Sequence, residues 1–482
     1  MDGHETRRII DVLVIGGGPS GSTAARYLKQ LCPDLQVMLI DRNSWPRDKP
    51  CAAGLTYKLF TTFPELREQD IFYGVTHAVT SCGTHYGKVT LTTDSKSKNF
   101  VTPHKGKITT NEKFIFAMSK RLDLDPALIQ LAKDAGVDFL EDCEAKEISW
   151  LSQGNSYPFP VEKSEYLRAE VLIQGSPSQI DARCIILASG LMPGTLRARG
   201  KIWYPRQPYP PAATVCANFE MPLSEIIQFW GNELKVYMQW AVRGLPGYFW
   251  IFPKCDSVHA GIVLNHVPGV NLQDTFLKIL KLLSIRNKIP SSMYIQAQQP
   301  KFLQGHPIPL NGIASHTTLE RLLVTGDAGG FVSAMDGEGI YYAMLSGKLA
   351  AETIANLART NENFCYSNLR QYQKKWQQLI APTIRSSLCI QKLMWKMADP
   401  VLEACNNADI NSLVKLVLIG EPRHHATVLV TLLILFAGYQ VKKLMRKVYH
   451  NPIAIQWGNY LRNLVAVGKI VMSYVLNINQ RF

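Results

Sequence analysis

Three glycines near the N-terminus have a spacing that can do chemistry. Gly16, Gly18 and Gly21 follow an apolar run at 12–15 and precede a stretch with helical character. The first glycine can take a tight turn, the second lets the backbone approach a pyrophosphate, and the third lets the helix pack on the strand. Asp41 ends another apolar run about 20 residues farther on, where a carboxylate can accept hydrogen bonds from ribose hydroxyls. This order of strand, helix and acid predicts a dinucleotide site at a helix N-terminus.

A second glycine-rich segment, far downstream, indicates which dinucleotide is bound. The segment at 326–340 contains Asp327, which can hold a ribityl or pyrophosphate group, and Gly337 and Gly339, which precede a predicted helix. Backbone N–H groups of these two glycines and the helix dipole can face the pyrimidine end of an isoalloxazine and stabilise an anionic reduced flavin. Because a flavin needs contacts that a nicotinamide cofactor does not, we predict FAD rather than NAD as the resident cofactor.

Composition is typical of a globular protein with several domains. With 482 residues, of which 46% are hydrophobic, the chain can form two or three domains that each bury a core. The ten cysteines occur singly and form no CxxC pair, so neither a zinc site nor a disulfide framework is predicted. Residues 1–8 contain no apolar segment followed by a small-residue cleavage site. We therefore expect no secretory signal, a cytoplasmic location and reduced thiols.

The elements that must position the two glycine-rich segments are dispersed along the chain. Buried strand-like runs at 11–15, 184–190 and 322–327 alternate with stretches, such as 88–93 and 236–242, that are typical of antiparallel strands. We predict an α/β fold with three parts: a discontinuous Rossmann-like FAD-binding domain (1–85, 105–200 and 315–360), an inserted antiparallel β-sheet substrate domain (86–104 and 201–314), and a helical C-terminal extension (361–482). The proline-rich stretch at 205–211 is expected to join the first two.

The C-terminal extension carries most of the net charge. From Cys365 onward there are 15 Lys and Arg against 4 Asp and Glu, which accounts for +11 of the formal net charge of +14. An apolar run at 426–439 is short for a bilayer span of about 20 residues, but basic residues at 423–425 and 442–447 flank it. The pattern favours peripheral contact with a membrane over packing in a helical core. Nucleic acid is not an expected partner, because aliphatic rather than exposed aromatic side chains separate the basic residues.

Four stretches resemble the geranylgeranyl reductase family, within the larger group of hydroxybenzoate hydroxylase-like flavoproteins. They are 16–21 with Asp41, 49–54, 247–254 and 326–340, and the Tyr-x-Trp-x-Phe-Pro element at 248–253 is the most specific of them. The resemblance covers roughly the first 350 residues and not the extension beyond Pro400. It implies an FAD-dependent oxidoreductase of isoprenoid lipid metabolism.

The resemblance also implies roles for individual residues. Ser20 and Asp41 would contact the adenosine half of FAD, Arg121 would reach the cofactor phosphates, and the backbone of Ala145 would contact adenine. The residues implied to line the isoalloxazine are Cys51, Ala52, Gly54, Gly339 and Ile340. Family members usually have glycine directly after the cysteine, whereas Ala52 and Ala53 follow Cys51 here. This departure affects both the placement of the thiol and the approach of the substrate.

Cys51 and Tyr248 are the candidate catalytic residues. Lys49 lies two positions before Cys51 and small residues follow it, so the thiol could sit beside the flavin as a proton donor or redox-sensitive group. An inert core thiol is the alternative. Tyr248, Trp250 and Phe252 alternate along one predicted strand and therefore share a face, although each could pack in a core. Within the family motif, they are predicted to line a tunnel for a long hydrocarbon substrate.

The sequence thus predicts an FAD-dependent oxidoreductase that reduces carbon–carbon double bonds of a geranylgeranyl or other polyprenyl chain on a lipid-like substrate. Because an isolated alkene is a poor electrophile, catalysis would need close alignment with the reduced flavin and a well-placed acid. No second GxGxxG unit is found, so NADPH that binds transiently, or ferredoxin, is expected as the external electron donor. The alternative is an FAD-dependent monooxygenase or halogenase that acts on an aromatic or alkaloid substrate, since flavin-dependent halogenases have a similar Trp-x-Trp-x-Ile-Pro motif.

Overall fold

The computed structural model describes residues 9–83, 88–92, 104–109, 113–153, 155–157, 161, 163–191, 211–265 and 267–406. The predicted connection at 205–210 and the apolar run at 426–439 with its basic flanks lie outside these residues. No helix in the described ranges is both long and apolar enough to cross a bilayer.

The first sheet has nine strands around a parallel centre. In spatial order, the parallel strands are β8 (Asp138–Leu140), β2 (Val37–Ile40), β1 (Ile10–Ile15), β12 (Ser176–Leu187) and β19 (Leu322–Val324). Antiparallel strands extend it: β9 (Cys143–Ser152), β10 (Asn155–Tyr157), β11 (Tyr166–Ile173) and β18 (Thr318–Leu319). The centre of β1 is buried, as a continuous apolar run requires when helices cover both faces of a parallel sheet.

Helices cover this sheet and define a crevice at its carboxyl edge. They are α1 (Pro19–Leu31), α3 (Arg121–Asp134), α7 (Ile340–Arg359) and α8 (Tyr366–Leu379), and α1 packs against both α3 and α7. The loops after β1 and β12 meet so closely that a Cβ placed on Gly16 would lie 2.5 Å from the carbonyl oxygen of Ala188. Ligands of open α/β sheets bind at such an edge.

The second sheet has seven strands. In spatial order they are β17 (Gln304–Ile308), β13 (Ala212–Glu220), β16 (Ser257–Leu264), β15 (Gly247–Pro253), β14 (Val236–Trp240), β5 (Ala78–Cys82) and β6 (Lys88–Thr92). All neighbours are antiparallel except β5 and β14, which run parallel. β5, which lies within the range 1–85 assigned to the FAD-binding domain, therefore belongs to the predicted substrate sheet, because it pairs with β14 far downstream in the chain.

Both faces of the seven-stranded sheet are buried. On one face, Phe249 and Ile251 pack against α4 (Leu223–Trp230), α5 (Leu272–Ile285) and α6 (Ser291–Ala297). On the other face, Tyr248, Trp250 and Phe252 belong to the same apolar cluster as Ile390 of α9 (Ala381–Asn406). Because side chains alternate along β15, Tyr248, Trp250 and Phe252 share one face, and this face can form a wall of the site.

A small third sheet joins the two large ones. It contains β3 (Gly54–Thr56), β7 (Phe116–Ser119) and β4 (Phe72–Thr76), and α2 (Tyr57–Thr62) follows β3. Phe116 of β7 contacts Phe252 of β15, with ring centroids 5.3 Å apart. Short 3-10 helices occur at Pro64–Glu68, Val242–Gly244 and Gly326–Gly329. The predicted fold class, a Rossmann-like α/β unit with an inserted β-sheet and C-terminal helices, is confirmed.

Candidate functional site

One cavity brings the predicted site residues together. It has a volume of about 390 Å³, which is within the range of small-molecule sites. Of the 17 residues that the sequence nominates, 16 line it: Gly16, Gly18, Ser20, Asp41, Cys51, Ala52, Gly54, Arg121, Ala145, Tyr248, Trp250, Phe252, Asp327, Gly337, Gly339 and Ile340. The exception is Gly21, where an added Cβ would lie 1.9 Å from the carbonyl oxygen of Gly16. Gly21 therefore acts by letting α1 approach β1 closely.

The N-terminus of α1 opens into one end of the cavity. Gly18 is the N-cap and offers no side chain to the first amides of the helix. The Ser20 hydroxyl is buried and has no hydrogen-bond partner among the described residues. A buried hydroxyl normally has a partner, and helix N-termini bind phosphate. This end of the cavity therefore fits the diphosphate of a dinucleotide.

Asp41 is fixed by the glycine loop beside it. Its Oδ2 accepts a hydrogen bond of 2.7 Å from the Gly17 amide, and its Oδ1 accepts one of 2.9 Å from the Asn43 amide. Oδ1 also accepts from Asn43 Nδ2 at 2.9 Å, so it is Oδ2 that retains acceptor capacity for a ribose hydroxyl. Ala145, on β9, lines the same end of the cavity.

Two arginines and one aspartate form a buried cationic group next to the glycine loop. Arg121, the first residue of α3, donates to both oxygens of Asp125, at 2.7 and 2.6 Å. Arg47 stacks on Trp45, and its Nη2 lies 3.3 Å from Asp125. Its Nε has no partner among the described residues. Burial lowers the pKa of Arg47. Burial would also lower the pKa of Arg121, but the charge and hydrogen bonds of Asp125 together raise it overall. The sequence suggested Arg121 but not Arg47.

Asp327 lies in the 3-10 helix after β19 and lines the cavity, and its contact with a ribityl or pyrophosphate group stays a prediction. Its Oδ2 lies 3.1 Å from Lys49 Nζ. Burial would raise the pKa of Asp327, but the Lys49 charge and hydrogen bond lower it overall. Nearby His306 also lines the cavity, and burial together with Lys49 lowers its pKa to about 4. At neutral pH this region therefore contains an ionised carboxylate and an uncharged imidazole.

The loop at 51–54 carries the candidate thiol into the cavity. The Ala53 amide lies 3.4 Å from Cys51 Sγ and donates to it. Ala53 has a φ of +51°, a conformation that favours glycine. A Cβ on Gly54 would lie 2.4 Å from Cε1 of Phe252, so this loop and the aromatic strand touch directly. The glycine that the family usually has after the cysteine is thus replaced by alanines that still form a tight turn.

The segment before α7 forms the opposite end of the cavity. Gly339 is the N-cap of α7, and Ile340 is the first residue of the helix. The Gly337 amide donates to the carbonyl of Ser333 at 3.0 Å. This hydrogen bond engages the Gly337 N–H within the loop, and a contact between Gly337 and a flavin stays a prediction. The amides that α7 leaves unpaired are those of its first turn.

A buried polar group next to Gly337 and Gly339 was not foreseen. Glu338 accepts hydrogen bonds from Thr56 and Lys58, and Lys58 Nζ also lies 3.0 Å from the Tyr342 hydroxyl. Burial raises the pKa of Glu338 above its usual value even though Lys58 opposes this shift. These contacts fix the α7 loop against α2. No local pattern reveals them, because the partners are distant in sequence.

Tyr248, Trp250 and Phe252 form one wall of the cavity. All three are buried, and the ring centroids of Tyr248 and Trp250 are 5.6 Å apart. Trp250 Nε1 donates to His259 Nδ1 at 3.0 Å, so the polar atom of this indole already has a hydrogen-bond partner. Burial raises the pKa of Tyr248, which keeps the phenol protonated. The wall is apolar except for this hydroxyl.

Lys254 lies directly after this aromatic strand and was not nominated as a site residue. It is fully buried, and its Nζ has no hydrogen-bond partner within the described part of the chain. Burial, with a smaller effect from Lys120, lowers its pKa to about 8. Cys51 and Asp48, which both line the cavity, are among the neighbouring groups that oppose this shift. The ammonium therefore lies behind the wall of the cavity.

These residues fit FAD. The orphaned Ser20 hydroxyl, the open first turn of α1 and the unpaired Arg47 Nε suit the diphosphate, while the first turn of α7 suits the electron-rich edge of a flavin. The described residues contain no group of His, Cys, Asp and Glu arranged to hold a metal ion.

Comparison with known proteins agrees with this geometry. No family model matches the chain. An uncharacterized protein of Methanosarcina barkeri is 29% identical over 370 residues, covering 76% of this chain and 79% of the relative. The digeranylgeranylglycerophospholipid reductase of Methanocaldococcus jannaschii is 27% identical over 223 residues, which are 43% of this chain and 52% of that protein. The chloroplastic geranylgeranyl diphosphate reductase of Arabidopsis thaliana is 25% identical over 414 residues, covering 83% and 78% of the two chains.

Solved structures share the fold. A geranylgeranyl bacteriochlorophyll reductase-like protein of Thermoplasma acidophilum superposes with a TM-score of 0.63 and 18% identity, covering 88% of this chain and 96% of that one. The flavin-dependent brominase Bmp2 gives a TM-score of 0.59 and 15% identity, covering 87% and 98%. Sequence relatives thus include named geranylgeranyl reductases, whereas the halogenase likeness concerns the fold alone. The predicted resemblance to geranylgeranyl reductases is confirmed, and the chain is an FAD-dependent oxidoreductase.

Proposed function

We propose that this protein reduces carbon–carbon double bonds of a geranylgeranyl or other polyprenyl chain carried by a lipid-like group. The observation that carries the proposal is that Tyr248, Trp250 and Phe252 line the same cavity as the flavin loop at 51–54. An apolar wall in contact with the redox end of the site suits a hydrocarbon chain. The names of the archaeal and plant relatives, which refer to geranylgeranyl lipids, support this substrate class.

The chain's own residues would bind the cofactor, align the prenyl chain and protonate one alkene carbon. When bound and reduced by the external donor, FAD would supply the hydride that one alkene carbon accepts. Ser20, Arg47 and the first turn of α1 hold the cofactor phosphates, and Asp41 holds a ribose. The aromatic wall aligns the prenyl chain and excludes water, so that a placed side chain and not bulk water supplies the proton.

The other alkene carbon needs a proton from a placed acid. Cys51 Sγ and Tyr248 Oη are the two candidate donors, because both line the cavity. The raised pKa of Tyr248 means that this phenol still holds its proton at neutral pH, when a donor is needed.

The proposed reduction needs an electron donor and access to a lipid-borne substrate. NADPH that binds transiently, or ferredoxin, would supply electrons to the flavin. Peripheral contact of the basic C-terminal extension with the cytoplasmic face of a membrane would bring the enzyme to a lipid-borne substrate.

Product analysis tests this function. FAD-loaded protein is reduced chemically without oxygen and mixed with a phospholipid that bears geranylgeranyl chains. Each reduced bond should add two hydrogen atoms to the lipid, whereas the fully saturated lipid should be unchanged. The second candidate, an FAD-dependent monooxygenase or halogenase for an aromatic or alkaloid substrate, is favoured by the fold shared with a brominase. It predicts no lipid product, and oxygenated or halogenated product only when oxygen is admitted.

A further inference from the structure

The outer face of α5 exposes basic and apolar side chains together. Lys278, Lys281, Leu282 and Ile285 follow the i, i+3, i+4, i+7 spacing of one helical face, and all four are exposed. The opposite face of α5 buries Phe276, Ile279 and Leu280 against the seven-stranded sheet. The inner face therefore accounts for folding, and the outer face contains aliphatic side chains that folding does not bury.

Exposed apolar side chains are concentrated here. Leu282, Ile285 and Ile295 are 47%, 72% and 60% exposed. They are three of the seven large apolar side chains exposed among the described residues, and they lie within 14 consecutive positions. Ile285 ends α5, and Ile295 lies on α6, which packs against α5. Single exposed apolar residues are normal, whereas a group of them marks a binding surface.

The charged residues around this apolar group are mostly basic. From Leu272 to Lys301 there are five basic residues, Lys278, Lys281, Arg286, Lys288 and Lys301, against one acidic residue, Asp274. All six are exposed. Within the described ranges, no ion pair engages the four basic residues closest to the apolar group. Asp274 lies in the first turn of α5, at the end away from Ile285.

We propose that the outer face of α5 and α6 is a docking surface for an anionic lipid membrane. Aliphatic side chains would enter the boundary between headgroups and acyl chains, while Lys278, Lys281, Arg286 and Lys288 contact lipid phosphates. The long lysine side chains can follow the aliphatic surface and keep their charge at the headgroups. This surface goes beyond the proposed function, because it belongs to the folded body and not to the C-terminal extension.

An acidic electron-transfer protein is the other partner that this charge could attract. The surface lies on the α5 side of the seven-stranded sheet, whereas the cavity lies on the side of Tyr248, Trp250 and Phe252. Electrons delivered at α5 would have to cross both a helix layer and a sheet to reach the cavity. Docking on a membrane anchors the protein and needs no electron path through the sheet, so the arrangement favours lipid.

Vesicle sedimentation of the full-length, FAD-loaded protein tests the surface. The test variant is Lys281→Glu with Ile285→Ser. The matched control is Lys133→Glu with Leu122→Ser on α3, outside both the α5 face and the C-terminal extension, where the lysine and the leucine are likewise exposed. Vesicles contain equal parts of phosphatidylcholine and phosphatidylglycerol, or phosphatidylcholine alone. We expect the test variant to bind anionic vesicles at least about ten-fold more weakly than the wild type, and the control to bind like the wild type.

Two results would overturn the proposal. The first is anionic-vesicle binding by the test variant that equals that of the wild type. The second is unchanged vesicle binding with impaired reduction by ferredoxin, which would assign the surface to a protein partner. Turnover of a detergent-dispersed prenyl lipid separates this inference from the proposed function. The test variant should retain such turnover, whereas its absence in the wild type would contradict the function and not the surface.

Discussion

The hydroxyl of Tyr248 lies 2.3 Å from the position that a Cβ would take on Gly337. The aromatic strand of the seven-stranded sheet therefore touches the loop that leads into α7, at the end of the cavity where the flavin ring is expected. A side chain at Gly337 would meet the tyrosine, and Gly337 also has a φ of +71°. Close contact and backbone conformation thus both require glycine.

Gly337→Ala should lower the free energy of unfolding by about 1–3 kcal/mol and weaken FAD binding at least about ten-fold, because strain and overpacking add at this position. Gly231→Ala is the matched control, since Gly231 has a φ of +70° but open space where its Cβ would go. Denaturant unfolding and FAD titration measure both variants. Adding Tyr248→Phe to Gly337→Ala should restore part of the loss, and equal losses in the two glycine variants with no such restoration would contradict the contact.

Tyr248→Phe alone tests the proton donor. If Tyr248 Oη supplies the proton, turnover with a prenyl lipid should fall at least about ten-fold while substrate affinity stays unchanged. Tyr237→Phe is the control, because Tyr237 lies on the neighbouring strand but packs on the α5 side of the sheet. Unchanged turnover in Tyr248→Phe would assign the proton to Cys51, and Cys51→Ser then becomes the variant to measure.

Ser20→Ala should have opposite effects with and without cofactor. Its buried hydroxyl has no partner among the described residues, so its removal should leave the apoprotein as stable as the wild type or slightly more stable. FAD binding should weaken by about ten-fold, because a hydrogen bond to phosphate is lost. Ser22→Ala is the contrasting variant: Ser22 Oγ donates to the Gly17 carbonyl at 2.8 Å, so its loss should destabilise the apoprotein. Unaltered FAD affinity in Ser20→Ala would contradict the assigned contact.

Lys254→Met should stabilise the protein in a pH-dependent way. The lysine has a pKa of about 8 in the folded protein and a usual value of 10.5, so folding opposes its charge. Below pH 8 both states are protonated and the penalty is complete, roughly 3 kcal/mol; it declines as pH rises from 8 to 10.5. Unfolding of the wild type and the variant at pH 7, 9 and 10.5 measures this trend.

Lys58→Met serves as the control for Lys254→Met. Lys58 Nζ pairs with Glu338 and lies 3.0 Å from the Tyr342 hydroxyl, so its replacement should destabilise the protein at pH 7. A destabilised Lys254→Met at pH 7 would show that the ammonium has a partner in solution. A stable but slower enzyme would instead indicate that the charge behind Cys51 is retained for function.

Much of the site could be predicted because its motifs are local. Gly16, Gly18 and Gly21 share one turn and one helix, and their spacing alone predicts a phosphate-binding loop. The three aromatic residues of β15 alternate along one strand, so their common face follows from the period of a strand. Their arrangement in one cavity depends on tertiary structure, which the family resemblance supplied.

What the sequence did not reveal depends on long-range pairing. Glu338 meets Lys58, and Arg47 meets Asp125, across separations that no local pattern encodes. The hydrogen bond from the Gly337 amide to Ser333 was likewise not foreseen, because the loop closes on itself before α7 begins. Similarly, β5 joins the seven-stranded sheet through a parallel pair with β14, which hydrophobic alternation cannot specify.

The central claim is that the reduced enzyme passes electrons to a prenyl alkene without oxygen. The most direct test is an anaerobic single turnover: the FAD-loaded protein is photoreduced, geranylgeranyl lipid is added, and flavin absorbance and lipid mass are followed together. The account predicts that the flavin is reoxidised as the lipid gains hydrogen in pairs. A flavin that stays reduced until oxygen is admitted, with the lipid unchanged, would contradict it.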